Sequence, residues 1–308
     1  MGLLKAWLEG ERFLLGDGAM GTMLQAAGLA PGEAPERLNA EDPQVVHPVH
    51  EGYLSAGAEV LTTNTFGGNR IRLALHGLGD RLFELNRAGA AIARRAADAC
   101  GREVLVAGSV GPTGSLLEPI GDLPFGEAKA AFAGQCRALA EGGVDFILLE
   151  TFSDLEEARA AAEGARSACD LPLFCTMTFD AHGRTMMGTS PEEAAAALGR
   201  LGVQALGSNC GNGPAEMERT LARMREARPS VPLIVQSNAG IPRVVGGEIA
   251  YEVGPEEMAA HAVRCLDLGA RYIGGCCGTT PEHIRAMGEA LRRLRGRNRE
   301  GGHCGGGE

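Results

Sequence analysis

Tyr272-Ile273-Gly274-Gly275-Cys276-Cys277-Gly278-Thr279-Thr280-Pro281 compresses one structural unit into a single run. Its apolar start reads as a buried strand, and the glycines around the paired cysteines mark where that strand stops. Thr280-Pro281 then supplies an N-cap and a proline at the first helical position. The helix itself shows in the spacing of Ile284, Met287, Leu291 and Leu294. Working outward, similar β-branched runs cover Arg12–Asp17, Glu59–Thr65, Val104–Val110, Phe146–Thr151, Leu173–Phe179, Ala205–Cys210 and Leu233–Asn238. Ala-rich stretches with helical spacing lie between them, such as Leu82, Leu85, Gly89, Ile92 and Ala96. Successive strand ends are roughly 30–45 residues apart, room for a loop, a crossover helix and the next strand.

Such a series fits a (β/α)8 barrel or an open doubly wound sheet. The strand ends favour the barrel. They read Asp17, Thr63-Asn64, Ser109, Glu150-Thr151, Thr178, Asn209-Cys210, Ser237-Asn238 and Cys276-Cys277. An open sheet needs chemistry only at its switch point, whereas every strand of a barrel ends on one shared face. One barrel domain is expected over residues 1–295, with a disordered low-complexity tail over 296–308. A long first connection, Gln25–Asp42, carries Pro31, Gly32 and Pro35 and is expected to pack over the barrel mouth.

The chain has 308 residues, with 29 Lys plus Arg against 39 Asp plus Glu. That acidic balance argues against a nucleic-acid partner, and the basic run Arg292-Arg293-Leu294-Arg295 reads as a solvated helix end. No apolar run approaches a membrane span, and the N-terminus lacks signal-peptide architecture. Nine cysteines without framework spacing suit a reducing cytoplasm.

Cys210, Cys276 and Cys277 are candidate metal ligands. Neighbouring side chains on an ideal strand point apart, but flanking glycines relax that geometry where strand becomes turn. The sixth and eighth strands of a barrel are separated by one strand, so three sulfurs can meet above the seventh. Three soft ligands with an open fourth position suit catalytic Zn2+, and thiolate ligation favours holding a substrate thiol as a nucleophile. Spacing alone leaves open a structural vicinal pair, a redox disulfide or buried apolar thiols. Cys100, Cys136, Cys169, Cys175 and Cys265 are expected to be buried apolar thiols. Asp17 and Glu150 would suit an ammonium group, with a helix N-cap and an internal salt bridge as their plain alternatives. His47 and His50 read as packing or surface residues, and Gly111-Pro112-Thr113-Gly114 as a tight turn rather than a phosphate cradle.

The run Gly274 to Ile284 resembles the signature of the homocysteine S-methyltransferase family. Asp17-Gly18-Ala19-Met20-Gly21-Thr22, Thr63-Asn64-Thr65-Phe66, Gly111-Pro112-Thr113-Gly114, Glu150-Thr151-Phe152-Ser153-Asp154, Asn209-Cys210 and Ser237-Asn238-Ala239-Gly240 are similar to its other blocks, in order. The resemblance spans about residues 12 to 294 and is strongest to the homocysteine-binding barrel of cobalamin-dependent methionine synthase. It implies a homocysteine thiolate on Zn2+, held by Cys210, Cys276 and Cys277, attacking an activated methyl group. It also implies that Asp17 and Glu150 hold the substrate ammonium and that the amides of Gly18 and Ala19 lie near its carboxylate. Asn238 would take the fourth zinc position before homocysteine arrives. The expected donor is methylcobalamin on a corrinoid protein or domain, with S-methylmethionine, S-adenosylmethionine or betaine as alternatives. A non-catalytic metal-binding or redox-sensing thiol protein is the rival from another class.

Overall fold

The computed structural model describes residues 2–227, 232–245 and 248–300. Its strands are β1 (Leu14–Leu15), β2 (Val60–Thr62), β3 (Leu105–Val110), β4 (Phe146–Phe152), β5 (Leu173–Met177), β6 (Ala205–Cys210), β7 (Leu233–Ser237), β8 (Arg243–Val245), β9 (Glu248–Ala250) and β10 (Ala270–Gly275). Eight of them form one sheet in the order β1-β10-β7-β6-β5-β4-β3-β2. A parallel bridge between Gly16 and Val60 joins the first to the last, and the Glu59 amide donates to the Leu15 carbonyl at 2.7 Å. The sheet thus closes into the expected (β/α)8 barrel, with helices between the strands.

Alternation along the strands sorts the core into two shells. Leu14, Val60, Leu105, Ala107, Phe146, Leu148, Phe174, Ala205, Ile234 and Tyr272 fill the barrel interior as one cluster. Their neighbours, including Leu15, Leu61, Val106, Ile147, Leu149, Cys175, Leu206, Val235 and Ile273, pack outward against the helices. The opening helix Leu3–Leu8 plugs the bottom of the barrel. Its Trp7 is fully buried, 5.1 Å from the Phe174 ring, and its indole N–H donates to the Arg271 carbonyl at 2.7 Å. Burying an indole of that size contributes about 5 kcal/mol. Continued toward the strand ends, the inward positions become Thr62, Ser109, Glu150, Thr176, Asn209, Gln236 and Cys276. The interior is therefore apolar below and polar above.

Four expectations need adjusting. The connection Gln25–Asp42 holds a 3-10 turn, Pro35–Arg37, and a short helix, Leu38–Glu41. The connection after β7 carries an unanticipated antiparallel hairpin, β8–β9. Cys136, Cys175 and Cys265 are buried as expected, but Cys100 and Cys169 are only half-buried. The last helix, Pro281–Glu300, runs past the expected boundary at 295, and residues 301–308 of the expected tail lie outside the described residues. Thr280 caps that helix in an unusual way: its amide donates to His283 Nδ1 at 3.1 Å.

Candidate metal and substrate site

Cys210 ends β6 and Cys276-Cys277 follow β10, with β7 paired between them. The three sulfurs lie within 4.8 Å of one another, and Cys210 Sγ is 3.0 Å from Cys276 Sγ. Convergence depends on local backbone. The Cys276 amide donates to the Ser237 carbonyl at 2.8 Å and so continues the sheet. Cys277 has left it: its amide donates to Asn238 Oδ1 at 3.0 Å, and its carbonyl accepts from Ala239 N at 2.9 Å. Gly278 follows at φ 78°, and a Cβ there would lie 2.1 Å from the Tyr251 ring. Cys210 itself sits at φ 60°, in the left-handed region, which costs an L-residue about 1–2 kcal/mol.

The thiols form one coupled acid. Hydrogen bonds from Cys210 and Cys276, helped by the Tyr251 hydroxyl, hold Cys277 below the usual thiol range. Cys276 is pushed up by its hydrogen bonds to Cys210 and Cys277 and by burial. Cys210 is raised too: the hydrogen bond from Cys276 acts downward, but its bond to Cys277 and burial outweigh it. The cluster alone thus favours a single negative charge, and a divalent cation would draw off the remaining protons. Thiolates around tetrahedral zinc stand ~3.8 Å apart for bonds of ~2.3 Å. The three sulfurs, all within 4.8 Å of one another, need only small side-chain shifts to reach that spacing, so the donor set fits zinc. No other cluster of three His, Cys, Asp or Glu donors appears among the described residues.

The sulfurs stand at one end of a cavity of about 420 Å3. Its walls are Gly18–Thr22, Gly32–Glu36, Thr62–Gly67, Ser109, Glu150, Thr151 and Gln236, and it extends to Arg72 and His76. The Gly32–Glu36 stretch brings the long first connection over the barrel mouth, as expected. Glu150 is 7% exposed, accepts from Ser109 Oγ, and receives Asn209 Nδ2 at 3.4 Å. Burial pushes its carboxyl up to about 7 against the Ser109 hydrogen bond, with Asp17 and Cys277 adding to the rise. Among the described residues it makes no salt bridge, the alternative considered for it.

The other predicted substrate residues are arranged less simply. Gly18 and Ala19 line the cavity, but the Ala19 amide donates to Thr279 Oγ1 at 3.1 Å. Asp17 is not on the wall. It lies buried, with one oxygen accepting from Thr62 N at 2.6 Å and the other from Thr62 Oγ1 at 2.8 Å. Burial also raises Asp17 to about 7, offset in part by the Thr62 bonds. Asn238 has both ends of its carboxamide engaged, Oδ1 with Cys277 N and Nδ2 with the Gly211 carbonyl at 2.7 Å. It ties the two cysteine loops together. Thr62, Gln236 and Tyr251 were not anticipated, although the inward parity of β2 and β7 marks the first two.

Outside the cavity the plain readings prevail. His47 pairs with Glu51 at 3.6 Å, and fully buried His50 is held neutral by desolvation. Thr113 donates its amide and hydroxyl to Glu157 Oε1 at 2.7 and 2.6 Å, so that turn serves the fold. Asp180 closes the 179–184 loop on itself through the amides of His182 and Arg184.

Residues 14–291 match the family model for homocysteine S-methyltransferase. The chain belongs to that family. It is 38% identical over 301 residues to a methionine synthase of Mycobacterium tuberculosis and 36% identical over 299 residues to that of Mycobacterium leprae. Each alignment covers 92% of this chain but only 25% and 24% of those proteins, so the chain spans about a quarter of their length. Among solved structures, the metallated homocysteine methyltransferase MmuM of Escherichia coli superposes with a TM-score of 0.78 at 27% identity, covering 94% of this chain and 99% of that one. A methyltransferase from Methanosarcina mazei, at 12% identity and TM-score 0.61, shares the fold.

Proposed function

We propose that this homocysteine S-methyltransferase family member transfers a methyl group to the thiol of L-homocysteine, giving L-methionine, with Zn2+ held by Cys210, Cys276 and Cys277. The convergence of those three sulfurs at the end of an amino-acid-sized cavity carries the reading. Zinc bound there supplies Lewis acidity that keeps a substrate thiol deprotonated near neutral pH. The three protein thiolates temper that acidity by donating charge, which leaves an incoming sulfur electron-rich. Glu150 faces the cavity and attracts the substrate ammonium, while buried Asp17, bonded to Thr62, adds negative field. The Gly18–Ala19 turn forms the wall toward the substrate carboxylate. The homocysteine sulfur attacks the methyl carbon in line; the S–C bond forms as the methyl–donor bond breaks, and that electron pair leaves with the donor.

For the donor we favour methylcobalamin presented by a corrinoid protein or domain. A corrin ring is too broad for the cavity and must dock at its mouth. In support, the exposed large apolar side chains among the described residues lie on the mouth side: Leu75, Leu116, Ile120, Met186, Ile241 and Ile249 in strand-to-helix connections, and Phe83 at a helix start. One observation favours a small donor instead. Away from the sulfurs the cavity is also lined by Glu33, Glu36, Arg72 and His76, polar groups that would pair with the amino-acid end of S-methylmethionine or S-adenosylmethionine. Betaine has only a carboxylate to offer them. All cysteines among the described residues are free thiols, which suits a reducing cytoplasm, and among those residues no helix is long and apolar enough to cross a membrane.

The test is metal analysis of reduced protein, followed by methionine formation from homocysteine with each donor in turn. About one zinc per chain is expected, lost on Cys210→Ala, with a zinc–sulfur count that rises when homocysteine is added. Stoichiometric zinc whose ligation ignores homocysteine, with no methionine from any donor, would leave the metal-binding or redox-sensing thiol protein as the better description.

A further inference from the structure

Among the described residues, Thr151 (φ 66°) and Cys210 (φ 60°) are the only non-glycine residues with positive φ. Threonine is β-branched and rarely accepts that conformation. The two residues sit on different strands, one beside Glu150 and the other a candidate metal ligand. A single carboxamide touches both. Asn209, fully buried, accepts at Oδ1 from the Thr151 amide at 2.8 Å and from Thr176 Oγ1 at 2.7 Å. Its Nδ2 donates to Thr151 Oγ1 at 2.7 Å and reaches Glu150 Oε2 at 3.4 Å and Cys210 Sγ at 3.7 Å.

The two ends of this side chain do different work. The Oδ1 contacts stitch β4, β5 and β6 together, as any buried strand-end asparagine can. The Nδ2 contacts go to a strained hydroxyl, to the carboxylate of the substrate site and to a sulfur of the metal site. We propose that Asn209 is a positioning residue whose Nδ2 group fixes Cys210 and Glu150 relative to each other. Zinc and the amino-acid ammonium are then held in a set geometry. This rests on the zinc–homocysteine reading above. Its consequence is that zinc affinity and homocysteine affinity weaken together when the N–H donor is lost.

Aspartate at 209 separates the two ends, because it keeps an oxygen for Thr151 N and Thr176 Oγ1 but has no N–H to give. The experiment compares the wild-type chain with Asn209→Asp and Asn209→Ala. Zinc affinity is measured by competition with a chromophoric chelator, the sulfur-to-metal band is recorded after cobalt substitution, and homocysteine affinity for the zinc-loaded protein is measured by calorimetry. Both variants are expected to lose about 10-fold or more in zinc affinity, as removal of a group that orients a ligand commonly does, with a shifted cobalt band and weaker homocysteine binding. Asn209→Asp that matches wild type on all three measurements would overturn the proposal and leave Asn209 a structural acceptor. If neither variant folds, Thr151→Val carries the test. It removes the Oγ1 that aims Nδ2, and unchanged zinc and homocysteine affinities would again overturn the idea. A wild-type chain that binds no zinc sinks the functional reading itself; a zinc-binding wild type with an indifferent Asn209→Asp sinks only the role of Asn209.

Discussion

Replacing Glu150 with glutamine should stabilise the protein and weaken its binding of homocysteine, and the two effects can be sized separately. Burial lifts the Glu150 carboxyl from 4.5 to about 7. A rise of ~2.5 units corresponds to ~3 kcal/mol at 1.36 kcal/mol per unit, the penalty for keeping the folded protein ionised there. The folded pKa is raised, so between pH 4.5 and 7 the folded state binds more protons than the unfolded one and stability falls as pH rises through that window. Glutamine has nothing to titrate. The advantage of Glu150→Gln should therefore be near zero at pH 4.5 and reach its full value by pH 8. Against it stands the 3.4 Å contact with Asn209 Nδ2, which a glutamine in the wrong orientation forfeits at about 1 kcal/mol. The net gain is about 2 kcal/mol, or about 3 °C in Tm at ~2.1 cal/mol/K per residue for a barrel of about 300 residues. Thermal melts of reduced, chelator-treated wild type and variant at pH 4.5 and pH 8 measure it. Homocysteine binding should weaken by about 10- to 100-fold, the worth of one charged hydrogen bond. A variant that melts below wild type at pH 8, or whose advantage does not change with pH, would refute the burial argument. Undiminished homocysteine affinity would refute the ammonium-binding role.

The same raised carboxyls predict a pH dependence of binding. Glu150 and Asp17 both stand near 7, so wild-type homocysteine affinity, read by calorimetry, should climb between pH 6 and pH 8 as they ionise; a flat profile would contradict it. Gly278→Ala places a Cβ 2.1 Å from the Tyr251 ring at a φ of 78°, and should cost about 2 kcal/mol or more in denaturant unfolding while loosening zinc, because Cys277 is the preceding residue. Trp7→Ala empties the plug at the opposite end of the barrel. It should cost about 3–5 kcal/mol of stability, yet leave zinc stoichiometry and homocysteine affinity unchanged where the protein remains folded.

The barrel was legible because each repeat states it locally: a β-branched run, a polar or glycine-rich stop, then a helical spacing. The thiol convergence was legible for a similar reason, since Gly211, Gly275 and Gly278 stand where the backbone must leave strand geometry. Inward and outward facing was less visible at the strand ends. Thr178 closes its run in sequence, but β5 stops at Met177, which leaves Thr176 as its last inward residue; counting from buried Ile234 puts Gln236 rather than Ser237 inside the barrel. Ser237 points the other way, with Oγ 2.6 Å from His261 Nε2. Asp17 was expected to close the first strand on the cavity, but β1 stops at Leu15 and the Asp17 carboxylate turns to Thr62. The β8–β9 strands are too short to display alternation. Least legible were the backbone conformations of Thr151 and Cys210, because residue preference argues against φ above zero for both. The bonds from Asn209 to the Thr151 amide and hydroxyl hold the first of them in place.

These features divide the barrel along its axis. Below, Trp7, Phe146, Phe174 and Tyr272 bury apolar surface and stabilise the fold without touching the cavity. Above, the fold carries destabilising features: two carboxyls raised to about 7, two left-handed residues and three crowded thiols. On the proposed function, the thiols and the carboxyls become favourable when their counterparts arrive, a cation for the former and an ammonium group for the latter. Ligands that relieve such costs bind the folded chain and not the unfolded one, so zinc and homocysteine should each raise the melting temperature. Because Asn209 Nδ2 reaches both a thiol and a carboxylate, the increment from homocysteine should be larger with zinc bound than without it. That difference should shrink in Asn209→Asp while the Trp7 end of the barrel, and its contribution to folding, stays the same.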